Sequence, residues 1–246
     1  MSFDALGRYG PRLLDGLLTT LELVAIAIVL GAILAVPVAL ARLSRNPVLA
    51  VLSYAYVYFF RGTPLLAQLF LVYYGAGQFR GAFEAVGLWW FFRDAFNCAV
   101  FAFTLNTAAY QAEIYRGAIR SVPKGQWEAA ASLGLRWQHV FQMVVLPQAA
   151  VIALRPLGNE IVLMIKGSAV ASVVTVFDLM GQTRYAFSHT YNMTMYFYAA
   201  LMYLALVETI RRLWNLLEAR LTHHMQREPE RKVRNVKQAE LERLAR

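Results

Sequence analysis

The sequence predicts an all-α membrane protein, and three observations carry that prediction. The 246-residue chain is 59% hydrophobic and only 16% charged, with a mean hydropathy of +0.44, which is too apolar for an ordinary soluble domain. Apolar stretches recur at bilayer length: a hydrocarbon core about 30 Å thick takes roughly 20 helical residues, because backbone groups in lipid must bond internally. Lysines and arginines gather in short connections and a C-terminal tail. The formal net charge of +9 therefore reads as topology beside a lipid bilayer, and no nucleic-acid partner is expected.

Five segments qualify as transmembrane helices, at about Leu13 to Ala41, Val48 to Tyr74, Ala95 to Ile119, Ala149 to Phe177 and Met193 to Leu217. The first exceeds a signal-peptide core of about 7–15 residues and is followed by Arg42 and Arg45, so Ala39-Leu40-Ala41 is not read as a cleavage site. Arg61-Gly62-Thr63-Pro64 interrupts the second segment. The run from Arg155 to Glu160, with Pro156 and Gly158, is expected to interrupt the fourth.

A single membrane domain over residues 13–221 is expected, followed by a charged cytoplasmic tail, 222–246. The tail mixes both charge signs with few aromatics, which suits a solvated, partly helical end whose basic residues attract anionic lipid. His223 and His224 are adjacent and share no helix face, so metal binding is not expected there. Cys98 is the one cysteine; it cannot form a disulfide or zinc framework within one chain and reads as a packing residue. Transporters that work alone usually show two related halves. No internal repeat is visible here, so the chain reads as half of a larger assembly.

Orientation follows from basic residues, which are retained on the cytoplasmic side. Sixteen lie on one side (Arg42, Arg45, Arg116, Arg120, Lys124, Arg136 and ten from Arg211 to Arg246) against five on the other (Arg8, Arg12, Arg80, Arg93 and Arg184). Arg61, Arg155 and Lys166 fall inside segments. An outside N-terminus and a cytoplasmic C-terminus are expected, which puts the polar stretch 121–147, between the third and fourth spans, in the cytoplasm.

That stretch reads as a helix pair. Ser121 is placed to cap a short helix and Pro123 to occupy its first turn, with the helix running to about Leu133. Gly134 suits a left-handed residue, a second helix follows from about Arg136 to Val145, and Pro147 marks its end. Glu128-Ala-Ala-Ala is small and exposed, open to close approach by another surface. By composition alone it is equally an ordinary loop with two helical turns.

The spacing Glu-Ala-Ala, three residues, Gly, nine residues, then Val144, one residue and Leu146-Pro147 resembles the signature of binding-protein-dependent ABC transporter permeases. The stretches Arg61-Gly-Thr-Pro-Leu-Leu-Ala-Gln-Leu-Phe70, Ala109 to Gln126 and Leu146-Pro-Gln-Ala149 resemble the polar amino-acid uptake branch. Asn97 to Thr107 and Asn159-Glu160 resemble the histidine and octopine permease subunits. The likeness spans Leu13 to about Leu221; Lys166-Gly-Ser-Ala-Val departs from the Lys-x-Thr-Ser-Leu of many relatives.

The resemblance implies a multi-pass inner-membrane permease subunit for polar, basic amino acids or opines. Its implied partners are an ABC ATPase dimer, a second homologous permease subunit and a periplasmic solute-binding protein. It assigns ATPase coupling to Glu128, Ala129, Ala130, Gly134, Leu146 and Pro147. The chain lacks the Gly-x4-Gly-Lys-Ser/Thr phosphate loop, so ATP is expected on a partner and no cofactor or metal in this chain. Ser168, Ser172, Asp178 and His189 cluster only in sequence, a weak sign of an enzyme.

A charge at mid-bilayer costs about 2.5–3.5 kcal/mol, so such residues face protein or a watery path. Glu22, Arg61, Glu113, Arg155, Glu160 and Lys166 qualify, although the cations also suit snorkelling or broken-helix carbonyls, and Glu113 suits pairing with Arg116 or Arg120. Asn106, Tyr110 and Glu113 share one helix face. With Gln68, Asn159 and Glu160 they form a candidate solute path, with Glu160 attracting a cationic amino group. The competing readings are a permease for another polar amino acid such as glutamine, a passive channel, and a scaffold anchoring a cytoplasmic protein.

Overall fold

A computed structural model describes the backbone of residues 3–244 and the side chains of residues 7–222. Eleven α-helices follow one another among the described residues: α1 (Phe3–Leu43), α2 (Pro47–Gly62), α3 (Leu65–Gln78), α4 (Arg80–Ala85), α5 (Trp89–Phe92), α6 (Ala95–Ser121), α7 (Lys124–Ser132), α8 (Trp137–His139), α9 (Leu146–Gly167), α10 (Leu179–Thr190) and α11 (Thr194–Leu244). A π-helical turn, Val140–Val145, joins α8 to α9, and a 3-10 stretch, Ser168–Val174, follows α9. The lipid attraction of the tail and the fate of His223 and His224 lie outside the described side chains.

Helix α6 is the axis on which α1, α2, α3 and α9 pack. Its inward residues are mostly small, with Cys98, Ala99, Ala102, Ala108, Ala109 and Ala112 all buried. Small residues let backbones approach, which is how helices associate where lipid competes for every apolar contact. Gly31 of α1 marks a close crossing: a Cβ there would lie 2.4 Å from Cγ2 of Thr107. Cys98 is fully buried and its thiol donates to the Phe92 carbonyl, consistent with a packing role.

By length and hydropathy two helical stretches qualify as spans, Gly7–Leu43 and Trp137–Val174, and the bent pair α2–α3 makes a third. The expected third and fifth spans, in α6 and α11, fall short of that measure. Helix α6 is sheathed by protein, so its polar face is not charged against lipid. Helix α11 is interrupted by tyrosines and by Glu208, Arg211 and Arg212 before it leaves the bundle.

The second segment is not a straight span, since α2 and α3 meet at 105°. Thr63 is extended, as a residue before proline prefers, and Pro64 begins the new direction. The fourth segment corrects the opposite expectation: Arg155 to Glu160 do not interrupt it, because α9 runs through Pro156. A mid-helix proline removes one hydrogen bond, here to the Ile152 carbonyl, and Ile152 lines an open groove rather than dry core.

The two ends of the bundle differ. At one end the C-terminus of α6 meets the N-terminus of α9 around Ala118, Val122, Ala130, Val140, Val145, Ala149 and Ala153. At the other, α10 lies across α1: a Cβ on Gly16 would sit 2.8 Å from the Asp178 carbonyl oxygen. Asp178 caps α10 by accepting the Gly181 N–H, and the Leu179 N–H donates to Oγ1 of Thr20.

Candidate coupling loop and polar path

The knuckle at 121–147 has the expected two arms with three corrections. Ser121 does not cap α7; its hydroxyl donates to the Gly117 carbonyl, and Pro123 occupies the capping position, without a side-chain bond. The second arm is one α-turn continued by the π-turn, and Pro147 does not end it. Pro147 stands instead in the first turn of α9, where its missing N–H costs nothing. Gly134 has φ +74, the left-handed value expected of it.

Glu128 and Ala129 are exposed, while Ala130 is buried in the apolar cluster where the end of α6, the π-turn and the start of α9 meet, and so holds the knuckle to the bundle. Beyond them Leu133 is 80% exposed and Trp137 67%, with the Trp137 ring stacked on Phe141 at 5.4 Å between centroids. Leu146 and Pro147 are also exposed. The knuckle thus offers a small-residue helix and a projecting apolar tip.

The six candidate path residues separate into distinct environments. Pro64 lacks the N–H that would have bonded the Phe60 carbonyl. Gln68 Nε2 and Asn106 Nδ2 both donate to that oxygen, at 2.9 and 3.1 Å. Gln68 also donates to the carbonyl and the hydroxyl of Thr63, and its own oxygen accepts from Asn106 at 2.9 Å. The two amides close the break in the second span and are buried doing so.

Glu160 is 5% exposed and turns toward α6, where Oε1 accepts the Thr107 hydroxyl at 2.9 Å. Thr107 in turn accepts from Gln111, whose amide also donates to the Ile28 carbonyl. Asn159 points the other way, into a groove of about 550 Å³ between α9 and α11 that also holds Arg155, Arg211, Asn215 and Glu218. Trp214 forms the seam: its indole N–H donates to the Leu154 carbonyl, and a Cβ on Gly158 would sit 2.4 Å from its ring. Tyr110 is half-buried under the Arg61 guanidinium, 5.2 Å from ring centroid to Cζ. Both line a second groove of about 410 Å³, with Glu113, Ile152 and Pro156.

Of the other charged candidates, Arg155 pairs with Glu218 at 2.6 Å rather than with a broken-helix carbonyl, and Glu22 and Lys166 are exposed. Glu113 pairs with Arg116, as its alternative reading had it, and also with Arg42. Ser168 and Ser172 bond within their own turns, Asp178 accepts from the Gly181 N–H and the Tyr203 hydroxyl, and His189 meets Ser188 and Tyr185, so the four do not converge on one another.

Sequence reasoning missed Thr107, Gln111, Arg42 and Trp214. Thr107 and Gln111 form an i, i+4 pair beside the Asn106 face, a signal that was available. Arg42 reads in the sequence only as a signal of topology. Nothing in the sequence singles out Trp214 as the wedge against Gly158.

Residues 24–223 match the family profile described as binding-protein-dependent transport system inner membrane component. The chain is 44% identical over 216 residues to the nopaline transport system permease protein NocM of Agrobacterium fabrum, covering 87% of this chain and 90% of that one. It is 41% identical over 207 residues to the octopine permease OccM of Rhizobium radiobacter, covering 84% of each. To the arginine ABC transporter permease ArtM of Escherichia coli K12 it is 34% identical over 210 residues, covering 85% and 94%. Among solved structures, an amino acid ABC transporter with histidines superposes with a TM-score of 0.81 at 35% identity, over 89% of this chain and 99% of that one. The methionine transporter MetNI, at 21% identity and TM-score 0.72, shares the fold. A helical bundle with a projecting knuckle, matched over residues 24–223, this chain belongs to the inner membrane components of binding-protein-dependent ABC transport systems.

Proposed function

We propose that this chain is the permease subunit of an ATP-driven importer for basic amino acids or their opine derivatives. Its N-terminus lies outside and the knuckle and tail in the cytoplasm. The carrying observation is the knuckle: a small-residue helix and an exposed Leu133–Trp137 tip, rooted by Ala130 in the end of α6. Glu128, Ala129, Gly134, Leu146 and Pro147 face an ABC ATPase dimer, which binds the ATP, and Ala130 anchors the helix that bears them.

The exposed strip of α9, with a groove on either side, supports pairing with a second homologous permease subunit, because polar grooves in lipid need a cover. Between the halves, Tyr110 and Asn159 front the solute path and Gln68 and Asn106 frame it, while Glu160, buried against Thr107 on the other side of α9 from Asn159, contributes its carboxylate charge from behind that surface. An external binding protein delivers the solute. The opine and arginine permeases among the relatives support this substrate class.

The test uses the assembled complex in vesicles with its binding protein, offered arginine, histidine, nopaline, octopine and glutamine in turn. ATP-dependent accumulation of a basic amino acid or opine is expected; equilibration without nucleotide would establish a channel instead. A Gly134→Glu variant lowers uptake and ATPase stimulation together, and a change in solute affinity alone would remove Gly134 from the coupling role. Glu160→Gln weakens uptake of the cationic solute with the complex still assembled; unaltered arginine and histidine uptake would reject Glu160.

A further inference from the structure

We infer that Glu113 is a positioning residue that makes α1 and α6 one rigid lever driven by the knuckle, and not a ligand of the solute. Its carboxylate is already engaged: Oε1 accepts from Nε of Arg42 and Nε of Arg116, each at 3.0 Å, and Oε2 accepts again from Arg116. All three side chains are largely buried, at 14% exposure for Glu113, 16% for Arg42 and 21% for Arg116. Arg42 also lies over the Tyr54 ring of α2, 4.9 Å from its centroid. One carboxylate therefore ties the end of α1, and through it α2, to α6.

The position of this tie gives it a mechanical meaning. Helices α1 and α6 pack along an apolar seam that runs from Leu23, Ala27 and Phe103 past the close approach of Gly31 to Thr107 and on to Ala35, Ala39 and Ala112. The Arg42–Glu113 pair closes that seam with a polar tie at its knuckle end. Arg42 follows Gly31 by about 16 Å of helix and Glu113 follows Thr107 by about 9 Å, at 1.5 Å per residue. Glu113 is also about two turns above the start of the knuckle, whose Ala130 and Val140 share one apolar cluster with Ala118 of α6 and with Val122 just beyond it. A push on the knuckle therefore reaches α6 through Ser121 and α9 through the π-turn that continues into it, and the Arg42–Glu113 pair extends the displacement of α6 to α1. Displacement passes between sites through packed elements with discrete arrangements.

This inference rests on the importer reading, and its test separates the two. In vesicles carrying the assembled complex, solute imported per ATP hydrolysed is measured for the natural protein, Glu113→Gln, Arg42→Met and Glu113→Asp. Arg42→Met leaves the Glu113–Arg116 pair in place and so keeps α6 intact if Glu113→Gln fails to assemble. The imported-per-ATP ratio falls by about fivefold or more in Arg42→Met and Glu113→Gln, the low end of coupling between linked sites. Glu113→Asp retains part of it. An unchanged ratio in Arg42→Met, or a Glu113→Gln defect confined to the concentration dependence for cationic solutes, overturns the inference. Absence of ATP-dependent uptake by the natural complex would instead sink the importer reading.

Discussion

The break between α2 and α3 and the outer strip of α9 are both polar interruptions of apolar helices, and they are handled in opposite ways. At the break, proline frees one carbonyl and two buried amides converge on it, so every polar atom named there has a partner inside the chain. Along α9, a proline again removes a helical bond, yet Ile152, Pro156, Arg155 and Asn159 front open grooves. A polar residue at mid-bilayer therefore marks either scaffold or path, and its partners decide which. A closed cluster is stability; an open one waits for water, solute or another subunit.

The sharpest way to break this comparison is Gln68→Leu. It removes donors to Phe60 and Thr63 and leaves the Asn106 amide with the Phe60 carbonyl as its one remaining acceptor there, and each buried group left unpaired costs about 1–3 kcal/mol. Thermal unfolding of the purified complex in detergent is expected to show a clear loss, and an unchanged midpoint would place Gln68 with the open residues. Gly158→Val comes next, since its branched side chain must displace the Trp214 wedge; overpacking of this kind costs about 1–3 kcal/mol, read as lowered thermal stability together with altered tryptophan emission.

Gly134→Ala tests the knuckle alone. A left-handed backbone costs a residue with a Cβ about 1–2 kcal/mol, which should loosen the turn and reduce ATPase stimulation without lowering the unfolding midpoint of the bundle. The smallest effect on stability belongs to Asn159→Ala, within about 0.5 kcal/mol as for surface sites, while uptake falls. If Asn159→Ala destabilised the complex as much as Gln68→Leu, the distinction between closed and open clusters would fail.

Much of the architecture was legible from residues. Bilayer-length apolar runs located the helices, Gly62-Thr63-Pro64 located the break, and the Gly134 spacing located the turn of the knuckle with its left-handed residue. The misjudged points share a cause. Pro156 looked like Pro64, yet α9 runs through it, because a proline ends or merely dents a helix according to what surrounds the freed carbonyl. Pro147 looked like a terminator and is a beginning.

Sequence by itself determined that this chain is helical, membrane-bound and built around a polar knuckle, because hydropathy, turn chemistry and spacing are local properties. Only the tertiary structure decided that Asn159 and Glu160, neighbours in the chain, serve opposite sides of α9, and that Glu113 meets an arginine 71 positions away. Helical periodicity assigns a side chain to a face, but which helix stands opposite that face depends on how the small residues of α6 let α1 and α9 close around it.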